Sequence, residues 1–281
     1  MKKLLIILVA AVMPVLASAQ AQINTKKVKI SDFTSKITRV VLNGNDFYDA
    51  ALKEEVKARW RVSPYEFCTL EEFHDSRNDS NYYFLLTTSA MFKKESEPGL
   101  DLLTLVKGGT GATINSMLEI VNIPIASAED PDGRELLFLP VLLDIIQEHA
   151  LKSMEKDING YMGLSNYSLN MSKAGNMNIV FSEDDLSSEI TREFRDLNFD
   201  SDMTVTDEDE ADELITDNAA NTLVSYVVAP SDPRPGSYCY KMLINAQTHE
   251  LYYFRKHKIS KRYGPGFLTE DIRRINSYRR R

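Results

Sequence analysis

Cysteines and long apolar runs are scarce in this sequence, and each shortage excludes a class of protein. The only cysteines, Cys68 and Cys239, cannot build the disulfide framework of a small secreted domain, so the fold must depend on an apolar core. Whether they form one bridge depends on a distance that the sequence does not give, although the apolar flanks of Cys68 favour a buried free thiol. No run beyond residue 20 reaches the roughly 20 apolar residues of a membrane-spanning helix.

Basic charge is also in short supply, because 33 Lys and Arg oppose 41 Asp and Glu, a net charge of -8. A protein that binds the phosphate backbone of nucleic acid normally presents a basic surface, so nucleic acid is not an expected partner. Charge is unevenly distributed, with -13 over residues 183–217 and +8 over residues 255–281. We expect this asymmetry to steer encounters with a partner or a second copy.

Signatures of metal and catalytic sites are missing. The histidines lie at four scattered positions, His74, His149, His249 and His257. None has metal-site spacing, and an EF-hand loop counted from Asp200 would place Val205 where glycine is required. The glycine-rich segment 107–113 lacks the order of a P-loop and is typical of a hairpin turn, while Ser153 and Lys156 lack the further motif of penicillin-recognising enzymes. The sequence therefore predicts no catalytic residue, no metal and no cofactor.

The amino terminus has the pattern of an export signal. Lys2 and Lys3 precede an apolar run over residues 4–16, which is followed by Ala17-Ser18-Ala19. A basic start, a short apolar stretch and an A-x-A site are what signal peptidase recognises, so residues 1–19 are predicted to be a cleaved signal peptide. The mature protein is then expected in the periplasm or outside the cell, with no transmembrane segment.

An order of strands and helices occurs twice along the chain. Each unit is predicted as strand, helix, strand, short helix, strand, hairpin and closing helix, over residues 36–154 and 176–281, with a Gly-, Asn- and Ser-rich linker at 155–175. Helices between early strands favour parallel pairing, and the hairpin is antiparallel, so each unit is an α/β fold with a mixed sheet.

Polar residues mark the expected helix starts. Thr69 and Glu72 form the pattern of a capping box, and Thr206 with Asp209 repeats it 137 residues later. Asp46 is expected to cap the first long helix, and Ser187 or Ser188 its counterpart in the second unit. The constant spacing favours a tandem duplication.

This order of elements, with the turn Asn245–Glu250 between two late strands, resembles the periplasmic α/β domain at the amino terminus of the Tol-system propeller protein and its curli-secretion relatives. The resemblance implies binding to partner proteins in the cell envelope. No residue roles follow from it, because a shared element order does not define a site.

Two functions are compatible with these patterns. The first is a non-enzymatic exported interaction protein that binds an envelope protein or a second copy of itself. Its expected surface combines aromatic and basic residues of the last hairpin: Tyr252, Phe254, Arg255, His257, Arg262 and Tyr263. Strand alternation places Tyr252 and Phe254 on one face and Tyr253 on the other. The alternative is an exported hydrolase or small-ligand-binding protein with a cleft between the two units.

Overall fold

The computed structural model describes residues 30–92, 95–109, 113 and 116–280. The predicted signal peptide and part of the glycine-rich segment lie outside the described residues. Within these ranges, no helix combines the length and apolar character needed to cross a bilayer.

In the described residues, both units contain five strands and three α-helices. The first contains β1 (Ile37–Val41), α1 (Asp46–Arg59), β2 (Tyr65–Cys68), α2 (Leu70–Ser76), β3 (Tyr82–Ala90), β4 (Leu100–Lys107), β5 (Leu118–Ser127) and α3 (Arg134–Glu155). The second contains β6 (Asn178–Ser182), α5 (Arg192–Asn198), β7 (Met203–Thr206), α6 (Glu208–Thr216), β8 (Thr222–Val228), β9 (Tyr238–Asn245), β10 (Leu251–Lys258) and α7 (Thr269–Arg279). Between them lie α4 (Asp157–Met162) and the 3₁₀ helix Gly163–Lys173.

The two sheets have the same strand order and the same directions. The first is ordered β2-β1-β3-β4-β5 and the second β7-β6-β8-β9-β10. In each, the first strand is parallel to both neighbours and the remaining pairs are antiparallel. The predicted fold class, two structurally related α/β units with mixed sheets, is therefore confirmed.

Three helix starts differ from the sequence prediction. Asn45 rather than Asp46 caps α1, since its side chain accepts from the amides of the first turn. Asp207 rather than Thr206 caps α6 by accepting from the Glu210 amide at 2.9 Å. The start of α5 moves from Ser187 or Ser188 to Thr191, whose side chain accepts from the Phe194 amide at 3.2 Å; the backbone before it is held extended, because Leu186 forms a β-bridge with Phe267. The Thr69–Glu72 capping box is confirmed.

The segment predicted as a linker is mostly helical and packs against the second unit. Its 3₁₀ helix, Gly163–Lys173, runs along β10. Ser168 fixes this contact, because its hydroxyl donates to the Phe254 carbonyl at 3.0 Å and accepts from the Phe254 amide at 3.1 Å. The inter-unit segment is thus part of the folded structure.

Helix α3 lies at the junction of the two units. Apolar side chains on one broad side of this helix are fully buried: Phe138, Leu139, Val141, Leu142, Leu143, Ile145, Ile146 and Ala150. They belong to one core that also contains residues of both sheets. Phe138 stacks on Tyr226 of β8 at a centroid distance of 4.0 Å, and the Tyr226 hydroxyl donates to the Ile125 carbonyl at 2.5 Å. The opposite side of α3 carries half-exposed polar residues such as Asp144 and Glu148, so the helix is amphipathic with a broad apolar side.

A buried charge network lies at the start of α3. Arg134 contacts Asp185 at 3.2 Å, Asp212 at 2.8 Å and Glu208 at 3.2 Å, all from the second unit. Burial alone would lower the pKa of Arg134, but the three carboxylates raise it, so the guanidinium stays charged. Removal of the arginine would leave carboxylates buried without a counter-ion.

At one pair of matched positions, the core of the second unit carries a charge where the core of the first is apolar. Leu103 of β4 and Lys241 of β9 occupy equivalent register positions in their sheets. Lys241 is fully buried and forms an ion pair with Asp271, which also accepts from the Tyr253 hydroxyl at 2.7 Å and the Leu268 amide at 2.9 Å. An apolar position of the first unit is therefore replaced by a hydrogen-bonded ion pair in the second.

Cys68 and Cys239 are both free and buried. Burial raises the pKa of the Cys68 thiol to about 11 and that of the Cys239 thiol to about 12. Both are protonated at neutral pH and so behave as small apolar side chains.

Candidate functional site

Two aromatic residues of the predicted binding surface are buried. A β-bulge between Leu251 and Tyr253 shifts the register against β9, so simple alternation fails and the expected pairing of faces is wrong. Tyr252 packs with Tyr253 in the core of the second unit, whereas Phe254 joins the core between the units. Neither ring is available as an exposed contact in this conformation.

The polar members of that predicted surface do not converge on one site. Arg255 is held by Glu270 at 3.3 Å, and His257 Nε2 lies 2.8 Å from the Gly264 carbonyl. Arg262 is exposed and lies over the ring of Tyr263 at 5.1 Å. A binding role for these residues stays a prediction.

A pocket of about 130 Å³ lies between α3, α4 and the 3₁₀ helix, beside the junction of the two units. Its lining is polar and consists of His149, Lys152, Asn159, Gly163, Asn166, Tyr167 and Asn170. The described lining residues include three asparagines and no carboxylate.

Local geometry brings these side chains together. His149 and Lys152 are three residues apart on α3, and Tyr167 and Asn170 are three apart on the 3₁₀ helix, so each pair shares a face. Gly163 joins α4 to the 3₁₀ helix with φ of 57°, a conformation that side chains oppose. The side chain of Asn170 is held in place, because its Nδ2 donates to the Leu251 carbonyl at 2.9 Å.

Buried polar atoms at this site have no hydrogen-bond partner. They are both ring nitrogens of His149, the hydroxyl of Tyr167 and, one turn beyond His149 on α3, the hydroxyl of Ser153. Their side chains are between 0 and 7% exposed. Each such atom costs the folded protein about 1–3 kcal/mol, so polar groups are rarely retained in this state for stability alone.

The charge state of the pocket follows from burial. Loss of hydration lowers the pKa of His149 to about 4; the Ile120 carbonyl opposes this shift but is not placed for a regular hydrogen bond. Burial also raises the pKa of Tyr167, which keeps its hydroxyl protonated. Lys152 lies 4.7 Å from the centre of the Tyr167 ring and is neutralised by Glu148. At neutral pH the site is therefore polar but close to uncharged.

This arrangement is suited to binding rather than to acid–base catalysis. A neutral imidazole, a phenol and amide groups each donate and accept hydrogen bonds. A hydrolytic histidine needs a group that orients it and a nucleophile beside it, and no lining residue supplies a carboxylate for the first role. Among the described residues, no group of three or more His, Cys, Asp or Glu is placed to hold a metal ion.

Sequence reasoning did not identify this site. His149 was one of four scattered histidines, and Tyr167 with its neighbouring asparagines lay in the predicted linker. The available signal was an apolar helix that carries His149 and Ser153 four residues apart, both on a face that its neighbours bury.

Comparisons of the chain with protein-family models, with curated proteins and with solved structures find no match. The resemblance to the Tol-system domain stays a prediction, and the function must be argued from the geometry alone.

Proposed function

We propose that this protein is a non-enzymatic binding protein for a small, uncharged, hydroxyl-rich molecule, with its site beside the junction of the two α/β units. The observation that carries the proposal is the set of buried, unpartnered polar atoms of His149 and Tyr167 at an open pocket. A bound molecule that supplies the missing hydrogen bonds would recover the free energy that these atoms cost.

The size of the pocket limits the ligand to about one ring. A cavity of about 150 Å³ is known to hold a six-membered carbon ring, and this pocket measures about 130 Å³. Its groups donate and accept in similar number, which matches hydroxyls better than carboxylates, phosphates or ammonium groups. A monosaccharide, free or at the end of a glycan, has this chemistry.

The predicted signal peptide is consistent with such a role outside the cytosol, where exported binding proteins meet soluble nutrients and glycans. Export remains part of the proposal, because residues 1–19 lie outside the described structure. Purification of the chain from cells after expression with its own amino terminus, followed by sequencing of the mature end, tests the expected cleavage after Ala19.

Ligand-observed NMR with a panel of monosaccharides tests the binding function. We expect saturation transfer from the protein to at least one sugar. Substitution of Tyr167→Phe should weaken that interaction about fivefold to tenfold, which corresponds to one hydrogen bond of roughly 1 kcal/mol. Asn166→Ala should weaken it as well, since this exposed amide lines the pocket.

Asn78→Ala is the matched control, because Asn78 is an exposed asparagine in the turn after α2. It should leave sugar binding unchanged. Saturation transfer to acetate or to a methylammonium salt but to none of the sugars would contradict the proposed ligand class. Equal sugar binding by Tyr167→Phe and the wild type would contradict the proposed site.

A further inference from the structure

In the first unit, the surface between α1 and α3 is covered by a turn of the second unit. The turn between β9 and β10, which belongs to the second unit, rests against α3 beside the end of α1. His249 of that turn places Nδ1 2.7 Å from Oδ2 of Asp144, and Arg59 contacts the same carboxylate at 3.0 Å. The surface formed by the end of α1 and by α3 is therefore a binding surface for a turn of polypeptide.

The second unit has the matching surface between the end of α5 and α7. In the first unit, the Gln147 side chain of α3 accepts from the Arg61 amide just after α1, at 2.8 Å. In the second, the Asn276 side chain of α7 donates to the Asn198 carbonyl at the end of α5, at 2.7 Å. The side-chain amides of Gln147 and Asn276 therefore each tie the closing helix of their unit to the end of its first α-helix. Three positions before this amide, the first unit has Asp144 and the second has Arg273.

This second surface is an open groove of about 450 Å³, which we call the α5–α7 groove. The residues that matter for recognition are Leu197, Arg273, Asn276 and Arg280. Asn276 is 8% exposed, and its Oδ1 atom is buried without a hydrogen-bond partner. Leu197, by contrast, exposes 85% of its surface and so offers an apolar contact at the groove.

We propose that the α5–α7 groove binds an acidic peptide segment of a partner protein. A carboxylate of the segment pairs with Arg273 and Arg280, which are both exposed at the groove. A backbone N–H donates to the unpartnered Oδ1 of Asn276, and an aliphatic side chain covers Leu197. The charges reverse those of the first unit, where an acidic position on the helix faces a histidine of the bound turn.

Charge complementarity favours this occupant over simpler ones. A small anion would pair with the arginines but would bring no donor for Asn276 and no apolar cover for Leu197. A peptide segment has all three groups within a few residues. Asp200, which also lines the groove, contacts Arg280 at 3.2 Å, so the carboxylate of the segment pairs first with Arg273 and shares Arg280 with Asp200.

Selection from a library of displayed random-sequence peptides provides the test, with the mature chain as bait. We expect enrichment of sequences in which Asp or Glu lies beside an aliphatic residue. A synthetic peptide of the enriched sequence should bind the double variant R273E/R280E about tenfold more weakly than the wild type. Leu197→Ser, at an exposed site where the fold has little to lose, should also weaken binding.

Arg262→Glu is the matched control, because Arg262 is exposed outside the groove; peptide binding should be unchanged. Circular dichroism of each variant confirms that it is folded. The proposal is overturned by the absence of enrichment, by enriched peptides without acidic residues, or by equal binding to wild type and R273E/R280E. It is also overturned if light scattering shows a dimer that R273E/R280E converts to monomer, since a second copy would then occupy the groove.

Discussion

Replacement of Tyr167 by phenylalanine is expected to make the ligand-free protein more stable. The Tyr167 hydroxyl is buried without a partner, whereas its ring packs in the inter-unit core. A phenyl ring keeps that packing and the contact with Lys152 and removes only the unpaired hydroxyl. Because a buried unsatisfied polar group costs about 1–3 kcal/mol, we expect the free energy of unfolding to rise by about 1 kcal/mol.

Tyr226→Phe is the matched comparison and should have the opposite sign. The Tyr226 hydroxyl donates to the Ile125 carbonyl at 2.5 Å across the junction of the units. Its removal leaves that carbonyl without its side-chain donor, with an expected loss of about 1–3 kcal/mol. Both substitutions delete one oxygen from a tyrosine that is less than a tenth exposed, so the difference in sign isolates the hydrogen bond.

Equilibrium unfolding in urea, followed by tryptophan fluorescence, measures both effects through the shift of the midpoint. Trp60, the only tryptophan, is buried in the core shared by the two units and reports on its integrity. In a thermal scan, a change of about 1 kcal/mol corresponds to about 2–4 °C for a chain of this size. If Tyr167→Phe lost as much stability as Tyr226→Phe, the Tyr167 hydroxyl would have a partner, and the argument for the pocket would fail.

Two further predictions concern buried charge. Burial lowers the pKa of His149 from 6.5 to about 4, so between these values the unfolded chain takes up a proton and the folded chain does not. The stability that His149 contributes is full above about pH 6.5 and falls by about 3 kcal/mol towards pH 4, relative to His149→Gln. Urea midpoints of both proteins across this range would measure the effect, and parallel curves would contradict the lowered pKa. Lys241→Leu leaves the buried Asp271 with only Arg255, at 3.6 Å, as a counter-charge and should cost about 3 kcal/mol of stability. Lys241→Leu combined with Asp271→Asn should recover part of this loss. If Lys241→Leu alone lost less than about 1 kcal/mol in the same assay, the ion pair would not be what stabilises this core.

The architecture was accessible from the sequence because its signals are local. The apolar run Tyr82–Thr87 and the hairpin strand Tyr238–Asn245 fall on observed strands, and the Thr69 capping box marks an observed helix start. Repetition of the same order at nearly constant spacing then predicted two similar sheets. Each of these inferences uses residues that are close in the chain.

The errors have a common physical origin, since each depends on a contact between distant segments. The start of α5 moves to Thr191 because the backbone before it is held extended by a β-bridge between Leu186 and Phe267, far along the chain. The bulge in β10 is set by its pairing with β9, and it buries Tyr252 and Phe254 in different cores. The pocket was missed for the same reason, because Tyr167 approaches His149 only after the 3₁₀ helix has packed along β10.

Both proposed sites lie where the two units stop being equivalent. The closing helix of the first unit, α3, buries its apolar side among residues of both sheets, and its half-exposed Asp144 contacts His249 of the β9–β10 turn. The closing helix of the second unit, α7, buries Ile272 and Ile275 on one side and exposes Arg273 and Arg280 on the other. Because its outer face is polar, α7 would bury no apolar surface by packing on another sheet. It still forms a groove with α5 that corresponds to the surface between α1 and α3. The pocket arises in the same way, from an inter-unit segment that has no equivalent within either unit. Departures from the repeat, rather than the repeat itself, therefore create the surfaces that are free to bind other molecules.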